Sequence, residues 1–101
     1  MKTRDEHAAC ATDNEMVVFG GFKEGERCNE IHTYGFNNNT WTKINPDKSS
    51  PMPCARAGHS IACSTDSTTN HQIMLVFGGK DDENQKLNDL WKFDFTTKMW
   101  E

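Results

Sequence analysis

The sequence has little of what marks membrane, secreted or zinc-binding proteins. No stretch approaches the roughly 20 apolar residues that a membrane-spanning helix requires. The first residues, Met1 to His7, carry charges but no apolar segment, which argues against a secretory signal. None of the cysteines has the paired Cys-x-x-Cys spacing of structural zinc sites. We therefore expect a cytoplasmic protein with no bound metal and no cofactor.

Positive charge is also scarce. The chain of 101 residues has 11 Lys and Arg against 15 Asp and Glu, which gives a net charge of −4. Nucleic acids and anionic membranes are bound through clustered Lys and Arg side chains. The composition therefore predicts no nucleic-acid partner and no membrane partner, and it favours a basic or neutral protein as the partner.

Four cysteines are present, and we expect all of them to be reduced thiols because nothing indicates an oxidising compartment. They are Cys10, Cys28, Cys54 and Cys63. Counted from His7 and His59, Cys10 and Cys63 fall on opposite parities, so they do not form a matched set. The other two lie in predicted loops, where we expect inert thiols rather than redox sensors.

The sequence does contain a tandem repeat, in which one pattern of residues occurs twice. The pattern is first Arg4, His7, the run Met16 to Phe19, Gly20, Gly21, Asn29, Tyr34, Phe36 and Trp41, and then Arg56, His59, the run Met74 to Phe77, Gly78, Gly79, Asn88, Phe93, Phe95 and Trp100. The offset between copies is 52 residues at the histidines, 58 at the glycine pairs and 59 at the tryptophans. A repeat of this length is typical of propellers and solenoids.

Each copy predicts four antiparallel strands and no helix. The first strand consists of small or thiol residues, at 7–12 and 59–64. The second is an apolar run with apolar residues on both parities, which predicts burial on both faces, and its glycine pair permits positive φ. The third alternates, with Trp91, Phe93 and Phe95 on one side. The closing tryptophan opens the fourth strand.

Four antiparallel strands per repeat indicate propeller blades. The predicted fold class is all-β, with two four-stranded blades of an incomplete propeller, the second truncated at the end of the chain. The predicted division is residues 1–44 for the first blade, 45–55 for a Pro/Ser-rich connector and 56–101 for the second blade.

The order Arg-x-x-His, apolar run, Gly-Gly, Asn-(Asp/Glu)-(Leu/Ile), alternating aromatics and closing Trp resembles the kelch repeat. The second copy, with Asn88 to Asp94, resembles it more closely than the first, which departs at Asp5, Glu6 and Gly35. The resemblance implies a kelch-type β-propeller that recognises proteins on its loop face. It also implies a role as an adaptor or scaffold, often in ubiquitin ligases or in cytoskeletal and signalling assemblies.

We interpret the recurring residues as structural, because a catalytic group needs one convergent site whereas a structural group recurs in every blade. These positions are Arg4, His7, Gly20, Gly21, Tyr34, Trp41, Arg56, His59, Gly78, Gly79, Phe93 and Trp100. We expect each arginine to bind backbone or an acidic group, and each tryptophan to fill the gap between blades. Glu30 and Asp89 are expected to accept backbone N–H groups at a turn.

The candidate binding site lies on the loops between second and third strands, at 22–28 and 80–86, together with the connector at 45–53. These segments are predicted to emerge on one face, and loops on a rigid scaffold commonly carry binding. The predicted contact residues are Phe22, Lys23, Glu24, Glu26, Arg27, Lys80, Asp81, Asp82 and Glu83. For each of them, a solvated charge that only keeps the protein soluble is the simpler alternative.

Two blades are too few to close a ring, since closed propellers have about four to eight. Three explanations follow: a fragment of a longer kelch protein, symmetric self-assembly, or completion of another protein's propeller. In each case the outer faces need partners, so a sharp, stable monomer is not expected.

An enzymatic role is the alternative to a binding module. Some kelch-like propellers resemble copper-dependent sugar oxidases or iron-dependent specifier proteins, whose sites need clustered Tyr, His, Cys or carboxylate ligands. The chain has a single tyrosine, Tyr34, and it falls on the repeated aromatic face. We therefore predict a non-catalytic protein. The alternative is a fragment of a propeller enzyme whose active site lies mostly on missing blades.

Overall fold

The protein is built from two four-stranded antiparallel sheets. The computed structural model describes residues 4–101, and these contain ten strands and no helix. The first sheet comprises β1 (Ala8–Ala11), β2 (Glu15–Phe19), β5 (Ile31–Gly35) and β6 (Trp41–Ile44), in the order β1-β2-β5-β6. The second comprises β7 (Ser60–Thr65), β8 (Gln72–Lys80), β9 (Lys86–Asp94) and β10 (Met99–Trp100), in the order β7-β8-β9-β10. The predicted all-β fold class is confirmed.

A small hairpin interrupts the connection between β2 and β5. It consists of β3 (Phe22–Lys23) and β4 (Glu26–Arg27). The two turn residues, Glu24 and Gly25, both have positive φ, at 54° and 83°. Two-residue hairpin turns of this kind match the twist of the strands they join. The sequence predicted only a loop for this segment.

Two predictions involve residues 1–3: that the first blade begins at residue 1, and that the N-terminus is not a secretory signal. These three residues lie outside the described part of the chain. The described part of the chain has no helix that could span a bilayer.

The core lies between the two sheets, where one face of the first sheet packs against one face of the second. Its fully buried side chains are Val17, Phe19 and Ile31 from the first sheet and Met74, Val76, Phe93 and Trp100 from the second. The Trp100 ring lies 5.3 Å from that of Phe19 and 5.0 Å from that of Phe93, centroid to centroid. Burying a large apolar side chain contributes about 1.5–3 kcal/mol, so this interface holds the two repeats together.

The sheets stack front to back. Val17 faces the second sheet, but its equivalent in the second repeat, Leu75, lies on the face directed away from the first sheet. The neighbouring residue Met74 faces the first sheet instead. The two sheets therefore contact each other through non-equivalent faces, as successive blades of a propeller do.

Both outer faces carry exposed apolar side chains. Phe77 and Leu90 on the second sheet are 52% and 64% exposed, and Trp41 and Phe36 at the first sheet are 39% and 48% exposed. Burial of the second apolar run on both faces was predicted, and this is wrong for Phe77, because no sheet formed by residues 4–101 covers that side.

The second glycine of each pair allows the strand to approach the start of its own repeat. Gly21 and Gly79 have φ of 93° and 92°. A Cβ on Gly21 would lie 2.9 Å from the Cα of His7, and one on Gly79 would lie 2.9 Å from the Cβ of His59. Only glycine fits such a position without displacing the backbone, which explains the repeated pair.

The connector does not lie wholly on the loop face, as we had predicted. Its Asp47 N–H donates to the Lys98 carbonyl at 2.8 Å, and the Trp100 N–H donates to Ser50 Oγ at 2.7 Å. This part of the connector therefore runs along the turn between β9 and β10. Only its end returns to the loop face, where the Asn29 side chain donates to the Pro53 carbonyl at 3.3 Å.

The prediction of four reduced thiols is wrong for two of them. Cys10 in β1 and Cys63 in β7 form a disulfide that joins the two sheets, with their Cα atoms 5.7 Å apart. Cys10 and Cys63 meet despite their opposite parities, because front-to-back stacking brings together residues of opposite parity. Cys28 and Cys54 are free thiols.

Candidate functional site

The loops that follow β2 and β8 emerge at the same end of the two sheets and contact each other. The link is a hydrogen bond from Arg27 Nη2 to Asn84 Oδ1, at 3.4 Å. A second link is the backbone pairing of Cys28 with Arg56, where the next repeat begins. The loop face is therefore a continuous surface across both repeats.

A groove of about 620 Å³ lies on this face between the loops. Its lining residues are Glu6, Arg27, Ala57, Gly58, Gly79, Lys80, Asn84, Lys86 and Leu87. Among the described residues, three cations and one carboxylate line this space, so this part of the lining carries a net charge of +2. We call this feature the basic groove.

Arg27 is held at the edge of the basic groove by an aromatic ring. Its guanidinium carbon lies 4.4 Å from the centroid of the Phe22 ring, a cation–π contact. Its buried Nε has no hydrogen-bond partner among the described residues. Phe22, Arg27 and Lys80, all predicted contact residues, thus lie in or beside this groove.

Other predicted contact residues lie elsewhere. Lys23 turns away and binds Glu30, with Nζ 3.0 Å from both carboxylate oxygens. Glu24 lines a separate groove of about 380 Å³ beside Arg4. Glu26 is exposed on β4. The structure therefore does not bring these three side chains into the basic groove.

The acidic predicted residues Asp81, Asp82 and Glu83 line a third groove, of about 190 Å³, together with Cys54. Asp81 is occupied locally, because its Oδ1 accepts the backbone N–H groups of Glu83 and Gln85 at 3.0 Å. The loop after β8 thus separates a basic groove on one side from an acidic groove on the other.

The predicted contact residues omit seven residues of the basic groove: Glu6, Ala57, Gly58, Gly79, Asn84, Lys86 and Leu87. Of these, Asn84 and Lys86 lie within the predicted binding loop at 80–86. Lys86 was detectable in principle, since it is the first residue of β9 and pairs with Lys80 across the sheet. Correct strand ends would have placed the two lysines side by side. Asn84 has φ of 60° in a turn, and nothing in the sequence predicted its contact with Arg27.

Arg56 is fully buried and bound by an acidic group and by backbone. It donates to Asp89 at 2.7 and 2.9 Å and to the Gly78 carbonyl at 3.0 Å. Trp91 Nε1 also donates to Asp89, at 2.9 Å. The hydrogen bond from Arg56 is the main reason that the pKa of Asp89 is lowered to about 2, and this effect outweighs partial burial.

Arg4 occupies the equivalent position in the first repeat. Its Nη1 donates to the Gly20 carbonyl at 3.3 Å, and its Nη2 lies 3.6 Å from Glu30. Burial raises the pKa of Glu30, but hydrogen bonds from Lys23, His32 and Lys43 overcome this and lower the pKa to about 2.

Both arginines therefore bind backbone and an acidic group, as the sequence predicted. Glu30 and Asp89, in contrast, accept chiefly from side chains, because the buried arginines require countercharges. This corrects the prediction that they accept backbone N–H groups at a turn.

His59 links the two repeats. Its Nε2 donates to the Phe19 carbonyl at 2.6 Å, and its Nδ1 is buried without a hydrogen-bond partner among the described residues. Burial lowers the pKa of His59, so the neutral imidazole is favoured. Its equivalent His7 is exposed, because no sheet of the described part of the chain packs on that side of the first repeat.

The two tryptophans also differ in their surroundings. Trp100 fills the space between the sheets, whereas Trp41 packs on Tyr34 at 5.2 Å on the outer face of the first sheet. Within residues 4–101, no three His, Cys, Asp or Glu side chains are grouped closely enough to hold a metal ion.

Comparison with known proteins agrees with this architecture. The family model described as the KLHDC2/KLHL20/DRC7 Kelch-repeats domain matches residues 1–101. The human Kelch domain-containing protein 3 is 32% identical over 96% of this chain and 27% of its own length. The tRNA wybutosine-synthesizing protein 2/3/4 of Arabidopsis thaliana is 34% identical over 93% of this chain and 9% of its own length. The Drosophila melanogaster Leucine-zipper-like transcriptional regulator 1 homolog is 29% identical over 90% and 9%, respectively. The chain thus spans about a quarter or less of these relatives, and it belongs to the kelch-repeat family.

Proposed function

We propose that the chain is a non-catalytic protein–protein interaction module, which acts as part of an adaptor or scaffold. The observation that carries this proposal is the loop face, where two loops from a rigid pair of sheets meet around an open groove. Binding sites commonly consist of loops that a rigid scaffold positions.

The roles of the recurring ionisable groups support a non-catalytic protein. Arg56 and Asp89 are bound to each other, and His59 is bound to a carbonyl of the neighbouring sheet. A general acid or base must reach a substrate, but these groups are already engaged in holding the repeats together.

Completion of a propeller by further kelch blades is part of the proposal. The exposed residues Phe77 and Leu90 are the repeat equivalents of Phe19 and Ile31, which the second sheet covers. A further blade would therefore cover Phe77 and Leu90 in the same way. Additional repeats of the same polypeptide or a second copy of this chain could supply that blade.

A cytoplasmic location is a further part of the proposal. The cytosol keeps most thiols reduced. This location therefore requires the fold to persist when the disulfide between Cys10 and Cys63 is opened, and the core that lies between the sheets provides the means.

Site-specific photocrosslinking tests the interaction function. A photoreactive phenylalanine analogue replaces Asp82 on the loop face or, as the control, Thr68 in the exposed turn at the opposite end of the second sheet. In cells we expect a discrete protein adduct from position 82 and none from position 68. No adduct at position 82, or the same adducts from both positions, would contradict the proposal.

A further inference from the structure

We propose that the basic groove binds an acidic segment of a partner protein through its side-chain carboxylates. This inference rests on the proposed interaction function and specifies the chemistry of the partner. It runs against the overall composition, which by itself favours a basic or neutral partner.

The cations of the groove are not neutralised within the protein. Arg27, Lys80 and Lys86 form no ion pair with any residue that the structure describes. Of the other lysines, Lys23 and Lys43 share Glu30, and Lys92 binds Asp66 and Glu101. Lys48 and Lys98, which lie away from the groove, also form no ion pair among the described residues. The three groove cations are therefore available to an external anion.

Arg27 is also positioned before any partner arrives. The Phe22 ring supports one face of the guanidinium, and Asn84 accepts a hydrogen bond from one of its nitrogens. A guanidinium can bind a carboxylate through two parallel hydrogen bonds. Because the side chain is already ordered, less conformational entropy is lost on binding.

The surroundings favour a short protein segment over nucleic acid. The whole chain has a net charge of −4, and Asp82 and Glu83 lie in the adjacent acidic groove. A polyanion that extended beyond the basic groove would meet these carboxylates. A segment with a few acidic side chains fits within it.

Glu6 is the one carboxylate among the residues that line the groove. Its negative charge repels an incoming anion. Neutralising Glu6 should therefore raise the affinity for an acidic segment, whereas loss of the lysines should lower it. Glu6→Gln should tighten binding of an acidic segment, an effect that general damage to the fold would not produce.

Fluorescence anisotropy with synthetic peptides tests the proposal. The probe is an end-blocked peptide of alternating Gly and Glu with an uncharged fluorophore, so that side-chain carboxylates are its only anions. We expect it to bind about tenfold more tightly than the same peptide with Gln, as expected for several charge contacts. Binding should weaken as NaCl rises from about 0.05 to 0.5 M, because salt screens exposed charges.

Matched double variants locate the site. K80E/K86E should weaken binding of the Glu peptide about tenfold, whereas K48E/K98E changes the net charge equally, away from the groove, and should have less than about a twofold effect. Circular dichroism and a melting curve establish that each variant is folded. Glu6→Gln supplies the variant expected to gain affinity.

Two further probes serve as controls: the same peptide with Lys in place of Glu, and an oligothymidylate as a nucleic acid. Four outcomes would overturn the inference: no binding of the Glu peptide, equal binding of the Gln or Lys peptide, equal effects of the two double variants, or tighter binding of the oligothymidylate. None of these would by itself remove the interaction function, because the adduct at position 82 does not depend on the charge of the partner. Conversely, absence of that adduct with normal peptide binding would contradict the interaction function in cells.

Discussion

Arg56 is completely buried, and a single carboxylate, that of Asp89, balances its charge. Removal of one member of a buried ion pair leaves the other charge without compensation. Asp89→Asn should lower the free energy of unfolding by roughly 2–4 kcal/mol. This is slightly less than the loss expected for a fully buried ion pair, because the Asp89 side chain is partly exposed. Urea unfolding at pH 7 measures this loss. Asp82→Asn removes an exposed carboxylate and should change stability by less than about 0.5 kcal/mol.

Acid should act through the same carboxylate. The pKa of Asp89 is about 2 in the folded protein against an ordinary value of 3.8. Its contribution is therefore fully present above about pH 4 and is lost as the pH falls toward 2, because the unfolded chain takes up the proton first. The stability of Asp89→Asn should fall less steeply than that of the wild type over this range. Parallel curves for the two proteins would contradict this role of Asp89, while Glu30 accounts for the slope that remains.

At the scale of the strand, the disulfide between β1 and β7 is a cross-link between the two sheets, which the connector also joins through the backbone. It closes a loop of 53 residues, and such a link stabilises mainly by restricting the unfolded chain. Cys63→Ser or reduction by dithiothreitol should lower the free energy of unfolding by roughly 2–4 kcal/mol. Urea unfolding with and without reductant measures the effect.

The free cysteines provide the control for this experiment. Cys54→Ser should retain the full response to dithiothreitol, whereas C10S/C63S should show none. A wild-type protein whose stability does not change on reduction would show that the disulfide does not stabilise the fold.

Much of the strand pattern was predictable from sequence because the relevant signals are local. The glycine pairs, with their positive φ, mark where β2 ends and where β8 bends, and the alternation of Trp91 and Phe93 gives the face of β9. That each arginine binds backbone or an acidic group was predicted because the arginines recur at equivalent positions, but Glu30 and Asp89 were not predicted to be their acidic partners. These features depend on residues within one repeat.

The features that the sequence did not reveal depend on contacts between repeats. The Cys10–Cys63 disulfide follows from front-to-back stacking, and the segregation of Lys80 from Asp82 follows from how one loop folds against its neighbour. Spacing within a repeat contains no information on which face meets which. The division of the predicted binding region into basic and acidic grooves was therefore not predicted.

At the scale of the whole molecule, the two exposed outer faces are complementary rather than alike. Leu90 and Phe77 on the second sheet correspond to residues that the first sheet buries against its neighbour, and Trp41 corresponds to the buried Trp100. Complementary faces of this kind associate head to tail. Light scattering should therefore show association of the wild-type chain that increases with concentration.

Two single variants distinguish head-to-tail association from contact between like faces. Leu90→Glu places a charge on the exposed apolar face of the second sheet, and Trp41→Glu does the same on that of the first. Each variant alone should therefore remain monomeric. Mixed in equal amounts, they should form a heterodimer and nothing larger, because each supplies the one intact face that the other lacks. If like faces met instead, Trp41→Glu alone would dimerise through Leu90, and mixing would produce no new species. Melting curves of both variants ensure that the comparison is made between folded proteins.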